Sequence, residues 1–207
     1  MDAASMCRAM RRISEVMDKN REYLIELDQI NGDGDLGISM SDGYRAAADF
    51  LDREQSNDLG RLLMGAAGVF NEVAPSSLGT ITSIGITGMA QTLKGKTEAS
   101  LEDLVAAFRN GINRIMQRAG SKPGEKTIID ALYPAVEALA EALPRGKQEA
   151  FDAAARAARE GSEKTKCMMS VHGRAAYYGE KSIGVLDGGS VVGQLLFEAI
   201  ASYVRQG

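Results

Sequence analysis

Apolar residues recur at helical spacing along nearly all of this 207-residue chain. From Ser5 to Leu27 the positions Met6, Met10, Ile13, Met17, Leu24 and Leu27 lie three, four or seven apart and line one helix face. Asp28 to Gly37 reads as a loop. Helix is predicted again through Met40–Leu51, over roughly Asp58–Asn71 and, after a break at 74–80, over roughly Thr82–Leu93. Ser100-Leu-Glu-Asp103 opens the next helix as a near capping box, which should run to about Arg118. Thr127–Leu143 follows, with a kink expected at Pro134. Gln148 to about Val171 reads as one long Ala-rich helix, 172–189 as a glycine-studded loop, and Ser190–Val204 as a closing apolar helix. No segment alternates polar and apolar residues well enough to predict a strand.

About eight helices with no linker and no internal repeat predict an all-α, single-domain chain over residues 1–207. In an up-and-down arrangement, every second junction lies at the same end. The first, third, fifth and seventh junctions (28–37, 74–80, 119–126 and 172–189) are the ones rich in Gly, Ser, Asp or Lys. Helix order alone therefore gathers the polar chemistry at one rim.

In the first of these junctions Asp28, Asp33 and Asp35 are interleaved with Gly32 and Gly34. Carboxylates that close repel one another unless a cation neutralises them, and hard oxygen ligands select magnesium or calcium. Glycine lets the backbone turn sharply enough for them to converge. An EF-hand is excluded: with Asn31, Asp33 and Asp35 as its first, third and fifth ligands, the sixth position would be Leu36 instead of Gly and the twelfth Asp42 instead of Glu. The alternative is that these aspartates are turn formers and a helix cap.

The stretch 119–127 suggests a P-loop, but Glu125 separates Gly124 from Lys126-Thr127 and no strand precedes it. Thr127 is expected to cap the following helix, leaving backbone N–H groups to face an anion or simply closing a turn. The stretch Pro75–Thr80, with Ser76 and Ser77, has the same two readings. Residues 172–189 are too long and too charged for a plain cap. Arg174 there suits a diphosphate, Asp187 a ribose or a metal-bound water. His172 is the only histidine, and no Ser/His/Asp or Cys/His set accompanies it.

Composition narrows the function classes. A net charge of -4 argues against nucleic acid and against an anionic membrane surface as partners. No apolar run is long enough to span a membrane, and none near the N-terminus resembles a signal peptide. Cys7 and Cys167 stand far apart, which fits a reduced, cytoplasmic setting. The 23 glycines exceed what helix ends need, and the distinctive ones are expected in the polar loops.

Three of those loops together, Leu27–Met40, Lys122–Leu132 and Gly173–Gly184, resemble the DhaL family, the nucleotide-binding subunit or domain of dihydroxyacetone kinases. The likeness runs in order from about residue 5 to 205. It implies an eight-helix antiparallel barrel that holds ADP or ATP at one rim through two magnesium ions. The metal ligands it implies are Asp28, Asp33 and Asp35. The nucleotide contacts are Leu36, Gly37, Ile38, Ser39, Ser76, Ser77, Ala119, Gly120, Thr127, Arg174, Asp187, Gly188 and Gly189. Three departures stand out: Leu36 where the family usually has His, Asp187-Gly188-Gly189 where it has Asp-Pro-Gly, and Ser77-Leu78 where it has Ser-Gly.

The resemblance implies a phosphotransferase of the glycerone kinase type that acts on dihydroxyacetone or a similar small ketose. The ketose would be held by a separate DhaK-like subunit, without which this chain is inactive. The phosphoryl donor is ATP, or a phosphocarrier protein of the phosphotransferase system that recharges bound ADP, and a homodimer is left open. Two alternatives remain: a magnesium-nucleotide regulatory module, and a kinase subunit for a four-carbon ketose such as erythrulose.

Overall fold

The structure, a computed structural model, describes residues 1–206. Those residues form nine α-helices and three short 3-10 segments: α1 Ala3–Lys19, α2 Arg21–Asn31, α3 Leu36–Arg53, α4 Leu59–Val73, α5 Ser77–Thr92, α6 Leu101–Ala119, α7 Ile129–Ala142, α8 Lys147–Lys164 and α9 Gly188–Gln206. The only β pairing among them is an isolated bridge between Asp2 and Glu98.

Each helix packs on the next in the order α1, α3, α4, α5, α6, α7, α8, α9, and α9 returns to pack on α1. This closes the up-and-down barrel expected from the sequence. The eight-helix count holds once α1 and α2 are taken together, because they are one helix broken at Asn20, whose side-chain amide donates to the Val16 carbonyl (2.8 Å). Met6, Met10, Ile13 and Met17 of α1 face inward as their spacing requires, and one continuous apolar core runs through the ring. Within that core an apolar space of about 140 Å³ remains between α1, α5, α6 and α9. No helix among the described residues is long and apolar enough to cross a membrane.

Several expected boundaries move. α2 continues to Asn31, so Asp28 sits on a helix and the first loop shrinks to residues 32–35. α3 starts at Leu36 instead of Met40. α5 starts at Ser77 instead of Thr82, because the Ser76 hydroxyl accepts the Gly79 N–H (3.0 Å) and caps it early. The long helix expected to reach Val171 ends at Lys164. There the Thr165 and Met168 carbonyls, which a continuing helix would need, accept instead from the Lys126 ammonium (2.9 and 3.1 Å). The 172–189 loop contains a 3-10 segment, Arg174–Ser182, bent at Gly179. The Ser100–Asp103 capping box forms as expected.

The glycines are not confined to the loops. α7 runs unbroken through Pro134, which has no N–H to give the Asp130 carbonyl four residues back. Gly161 of α8 lies against that carbonyl, so closely that a Cβ there would stand 2.1 Å from its oxygen. Gly88 and Gly111 bring α5 and α6 together in the same way. Ion pairs bridge neighbouring helices at the surface, such as Arg109–Glu137 at 3.0 Å and Arg159–Glu198 at 2.7 Å. Exposed pairs of this kind contribute little beyond register.

The far rim is tied by bonds between residues distant in sequence. The N-terminal ammonium donates to the Ala99 carbonyl (2.6 Å), and the Leu59 N–H donates to Lys96 (2.8 Å). Asp58 caps α4 and also accepts the Gly95 N–H (3.1 Å). Gly161→Ala is expected to lower unfolding free energy by about 1–3 kcal/mol through overpacking against α7. Gly68→Ala, on the open face of α4 where a Cβ meets nothing, should instead raise it by roughly 0.5–1 kcal/mol. Urea denaturation of the two variants measures both.

Candidate functional site

Alternating helix direction sends the junctions α2/α3, α4/α5, α6/α7 and α8/α9 to one rim, and with them the N-termini of α3, α5, α7 and α9. The four junctions enclose a cleft of about 580 Å³. Its walls include apolar side chains, Leu78, Ile81, Ile115 and Leu186, as well as polar ones.

Asp28, Asp33 and Asp35 meet on one side of the cleft, each offering a carboxylate oxygen within 4.8 Å of the others. Two glycines make this convergence feasible. Gly34 has φ +79° and gives its N–H to Asp28 Oδ2 (2.8 Å), while a Cβ at Gly32 would collide with Asp28 Oδ1 at 2.2 Å. Burial raises the Asp35 pKa, and the charges of Asp33 and Asp28 raise it further. A divalent cation relieves the strain on Asp35, and three converging hard oxygen donors suit magnesium. Arg174, on the far loop, reaches across to Asp33 Oδ2 at 2.8 Å.

The helix starts supply donors. α3 begins directly after Asp35, and its first intrahelical bond is Ser39 N–H to the Asp35 carbonyl (2.9 Å). The N–H groups of Leu36, Gly37 and Ile38 therefore have no partner within the helix and carry the positive end of its dipole. Leu36 lines the cleft, whereas Gly37, Ile38 and Ser39 do not; Gly37 packs on α2, where a Cβ would stand 2.1 Å from the Arg21 carbonyl. Ser76 and Ser77 line the cleft at the start of α5, with Ser76 as its N-cap.

Asp187, Gly188 and Gly189 line it at the start of α9. Asp187 Oδ2 accepts the Ser190 N–H at 2.6 Å, and the Asp187 N–H donates to Thr165 Oγ1 at 3.0 Å. Burial pushes the Asp187 carboxyl up to about 7, with the Ser190 N–H opposing and the charge of Asp130 adding to the rise. Two departures from the family pattern meet here. A Cβ at Gly188 would lie 2.6 Å from Leu36 Cδ2, so the leucine occupies the space that a side chain at 188 would need.

The α6/α7 junction behaves differently from expectation. Ala119 and Thr127 line the cleft, but Gly120 does not; it ends α6 in the left-handed conformation at φ 66°. The N–H groups expected to face an anion are turned in on the loop. Asp130, 5% exposed, accepts from Gly124 N–H (2.6 Å) and Thr127 N–H (2.8 Å), and the Ile129 N–H reaches Thr127 Oγ1 (3.3 Å). Lys126 points inward, away from the place a P-loop lysine would occupy. His172 is a tie between loops, its Nε2 lying 2.7 Å from Glu125 Oε2.

Asp130, Lys126 and Glu125 are site-building residues that sequence reading missed. Asp130 had a signal, since it stands three residues after Thr127 as an acid does in a capping box; Lys126 had none.

The family model of the DAK2 domain matches residues 30–202. The chain is 27% identical over 199 residues to the PEP-dependent dihydroxyacetone kinase ADP-binding subunit DhaL of Escherichia coli, covering 95% of each chain. It is 32% identical over 208 residues to an L-erythrulose 1-kinase of Mycolicibacterium smegmatis, covering 99% of this chain but 36% of that protein. The crystal structure of the dihydroxyacetone kinase from C. freundii in complex with AMP-PNP and Mg2+ superposes with a TM-score of 0.74 at 28% identity, over 95% of this chain and 33% of that one. The chain thus spans about a third of the length of these longer kinases.

Asp130→Ala removes the buried charged acceptor shared by the Gly124 and Thr127 N–H groups and is expected to lower stability by about 2–3 kcal/mol. Amide hydrogen exchange should then accelerate first at Gly124 and Thr127.

Proposed function

The chain belongs to the DAK2-domain family, and on that premise we propose that it is the nucleotide-holding part of a ketose kinase, binding ADP or ATP with magnesium at the rim cleft. The observation that carries this reading is a cleft in which three converging carboxylates adjoin the uncapped N-terminus of α3. An acidic cluster alone would repel a polyphosphate, and free N-termini alone would not select a metal-bound one.

In this reading Asp28, Asp33 and Asp35 hold two magnesium ions. Bound there, magnesium neutralises phosphate charge and stabilises the charge that builds up in phosphoryl transfer. The first turns of α3 and α5, with Leu36, Ser76 and Ser77 at the cleft, orient phosphate oxygens through N–H and hydroxyl donors. Arg174 adds a cationic fork for the diphosphate. The α9 start, Asp187–Gly189, admits the ligand closely because glycine carries no side chain. Ala119 and Thr127 border the space for the nucleoside beside the apolar wall of Leu78 and Ile81. No nucleophile of this chain takes part; positioning and charge do the chemistry.

The ketose is held by a DhaK-like partner, as the names of the DhaL relatives support, and this chain is inactive as a kinase without it. Whether bound ADP exchanges with ATP or is recharged by a phosphocarrier of the phosphotransferase system is a property of that assembly, as is any homodimer. A cytoplasmic setting accords with the two free cysteines. Likeness to an L-erythrulose 1-kinase favours one second reading, a four-carbon ketose as acceptor. Phosphate transfer assayed on dihydroxyacetone and on erythrulose with the DhaK-like partner separates the two.

The purified chain should bind ADP with magnesium in calorimetry and lose that binding on chelation. Asp33→Asn with Asp35→Asn should weaken magnesium-dependent ADP binding at least 100-fold with helix content unchanged by circular dichroism. Tight ADP binding by the double variant would sink the metal assignment. Arg174→Ala should weaken ADP roughly tenfold, the size of one charge-assisted contact.

A further inference from the structure

Lys126 is 5% exposed and makes no ion pair among the described residues. Its ammonium donates to four backbone carbonyls: Thr165 (2.9 Å), Met168 (3.1 Å), Ser182 (2.6 Å) and Val185 (2.7 Å). A ring of carbonyl oxygens is the donor set proteins present to monovalent cations. The charge is essential to the fit. An ammonium has three N–H donors to share among four oxygens, whereas a neutral amine has two and turns a lone pair towards the rest. Burial lowers the Lys126 pKa, and the nearby Asp187 charge counteracts this. The backbone at Lys126 has φ 59°, left-handed for a residue with a side chain, and Asp130 braces the turn on either side by accepting the Gly124 and Thr127 N–H groups.

The carbonyls all belong to the 165–187 segment, which carries Arg174 and leads into Gly188 and Gly189. That segment has little hydrophobic burial, with the half-buried Val185 and Leu186 packed against the core. Its only buried residues are Thr165, Ser170 and Ser182, while Met169, Val171, Tyr177, Tyr178 and Ile183 are exposed. The Ser182 hydroxyl, which accepts the Ser170 N–H (2.9 Å) and donates to Gly179 (2.6 Å), organises the segment internally. To the α6/α7 junction it is joined by the Lys126 charge and by the partly exposed His172–Glu125 pair.

We propose that Lys126 is a positioning residue, an internal cation whose charge holds the 165–187 segment so that Arg174 and the Asp187–Gly189 turn can reach the nucleotide. This rests on the nucleotide reading above. A lysine that merely stabilises the fold would lower the melting temperature when removed but leave ADP affinity and the contribution of Arg174 intact.

The test uses the whole chain. Lys126→Met, Arg174→Ala and the double variant are compared for magnesium-dependent ADP affinity by calorimetry. Lys126→Met should weaken ADP at least tenfold with helix content preserved, and the double variant should be no weaker than the worse single one, since a displaced Arg174 has nothing left to lose. Unchanged affinity in Lys126→Met, or independent additive losses in the double variant, overturns the proposal. Lys126→Ala opens the carbonyl ring to small cations. Ethylammonium or potassium should restore its ADP affinity severalfold with saturation while leaving the wild type unaffected, and no recovery overturns the proposal. Variants that fold only with added cation would assign Lys126 to the fold itself and overturn the proposal.

Trypsin separates this inference from the nucleotide reading. Cleavage at Arg174 and Lys181 should be about tenfold faster in Lys126→Met than in the wild type, even if the wild type binds no ADP. A wild type without ADP binding defeats the nucleotide reading; an unaccelerated digest defeats the role of Lys126.

Discussion

Closure of an alternating ring of helices is the constraint from which the rest of this structure follows. Once α9 packs back on α1, every second junction is committed to the same rim, and four helix N-termini point there together. Each N-terminus carries about half a positive charge in its unpaired N–H groups. The rim is thus electropositive in its backbone even though the chain is acidic overall, and side chains decide what that potential is used for.

The four starts are used differently. α3 is preceded by three carboxylates and keeps its first N–H groups unpaired, so donors and metal ligands stand side by side. α5 is capped by Ser76, and α9 by Asp187. α7 is closed off by Asp130, which takes the loop N–H groups for itself. The α6/α7 junction, which most resembles a phosphate loop by sequence, is therefore scaffolding. Lys126 and Glu125 bind the neighbouring loop, the lysine through carbonyls and the glutamate through His172.

The two rims are built on different physics. The far one is knitted by backbone bonds and caps close to the core, such as Leu59 to Lys96 and Asp58 to Gly95. At the cleft, a long segment with few buried apolar groups is held by hydrogen bonds and charge. Such contacts fix direction as well as distance, which suits loops that must meet a ligand with defined geometry, and they make the rim the more easily opened end.

Much of this was legible in the chain itself. Periodicity over Met6–Met17 and the other apolar faces specified helices, because burial of one face repeats at 3.6 residues whatever the partner. Helix order then placed the polar junctions together, and the Asp28–Asp35 spacing pointed to a cation. Only tertiary structure decided the finer matters. Helix starts at Leu36 and Ser77, the end of α8 at Lys164, the interior glycines Gly88, Gly111 and Gly161, the contact of Leu36 with Gly188 and the inward turn of Lys126 all depend on groups distant in sequence. A periodic pattern records which face is buried; it carries no record of which carbonyl a lysine 39 residues away will claim, or of which backbone will approach too closely to admit a side chain.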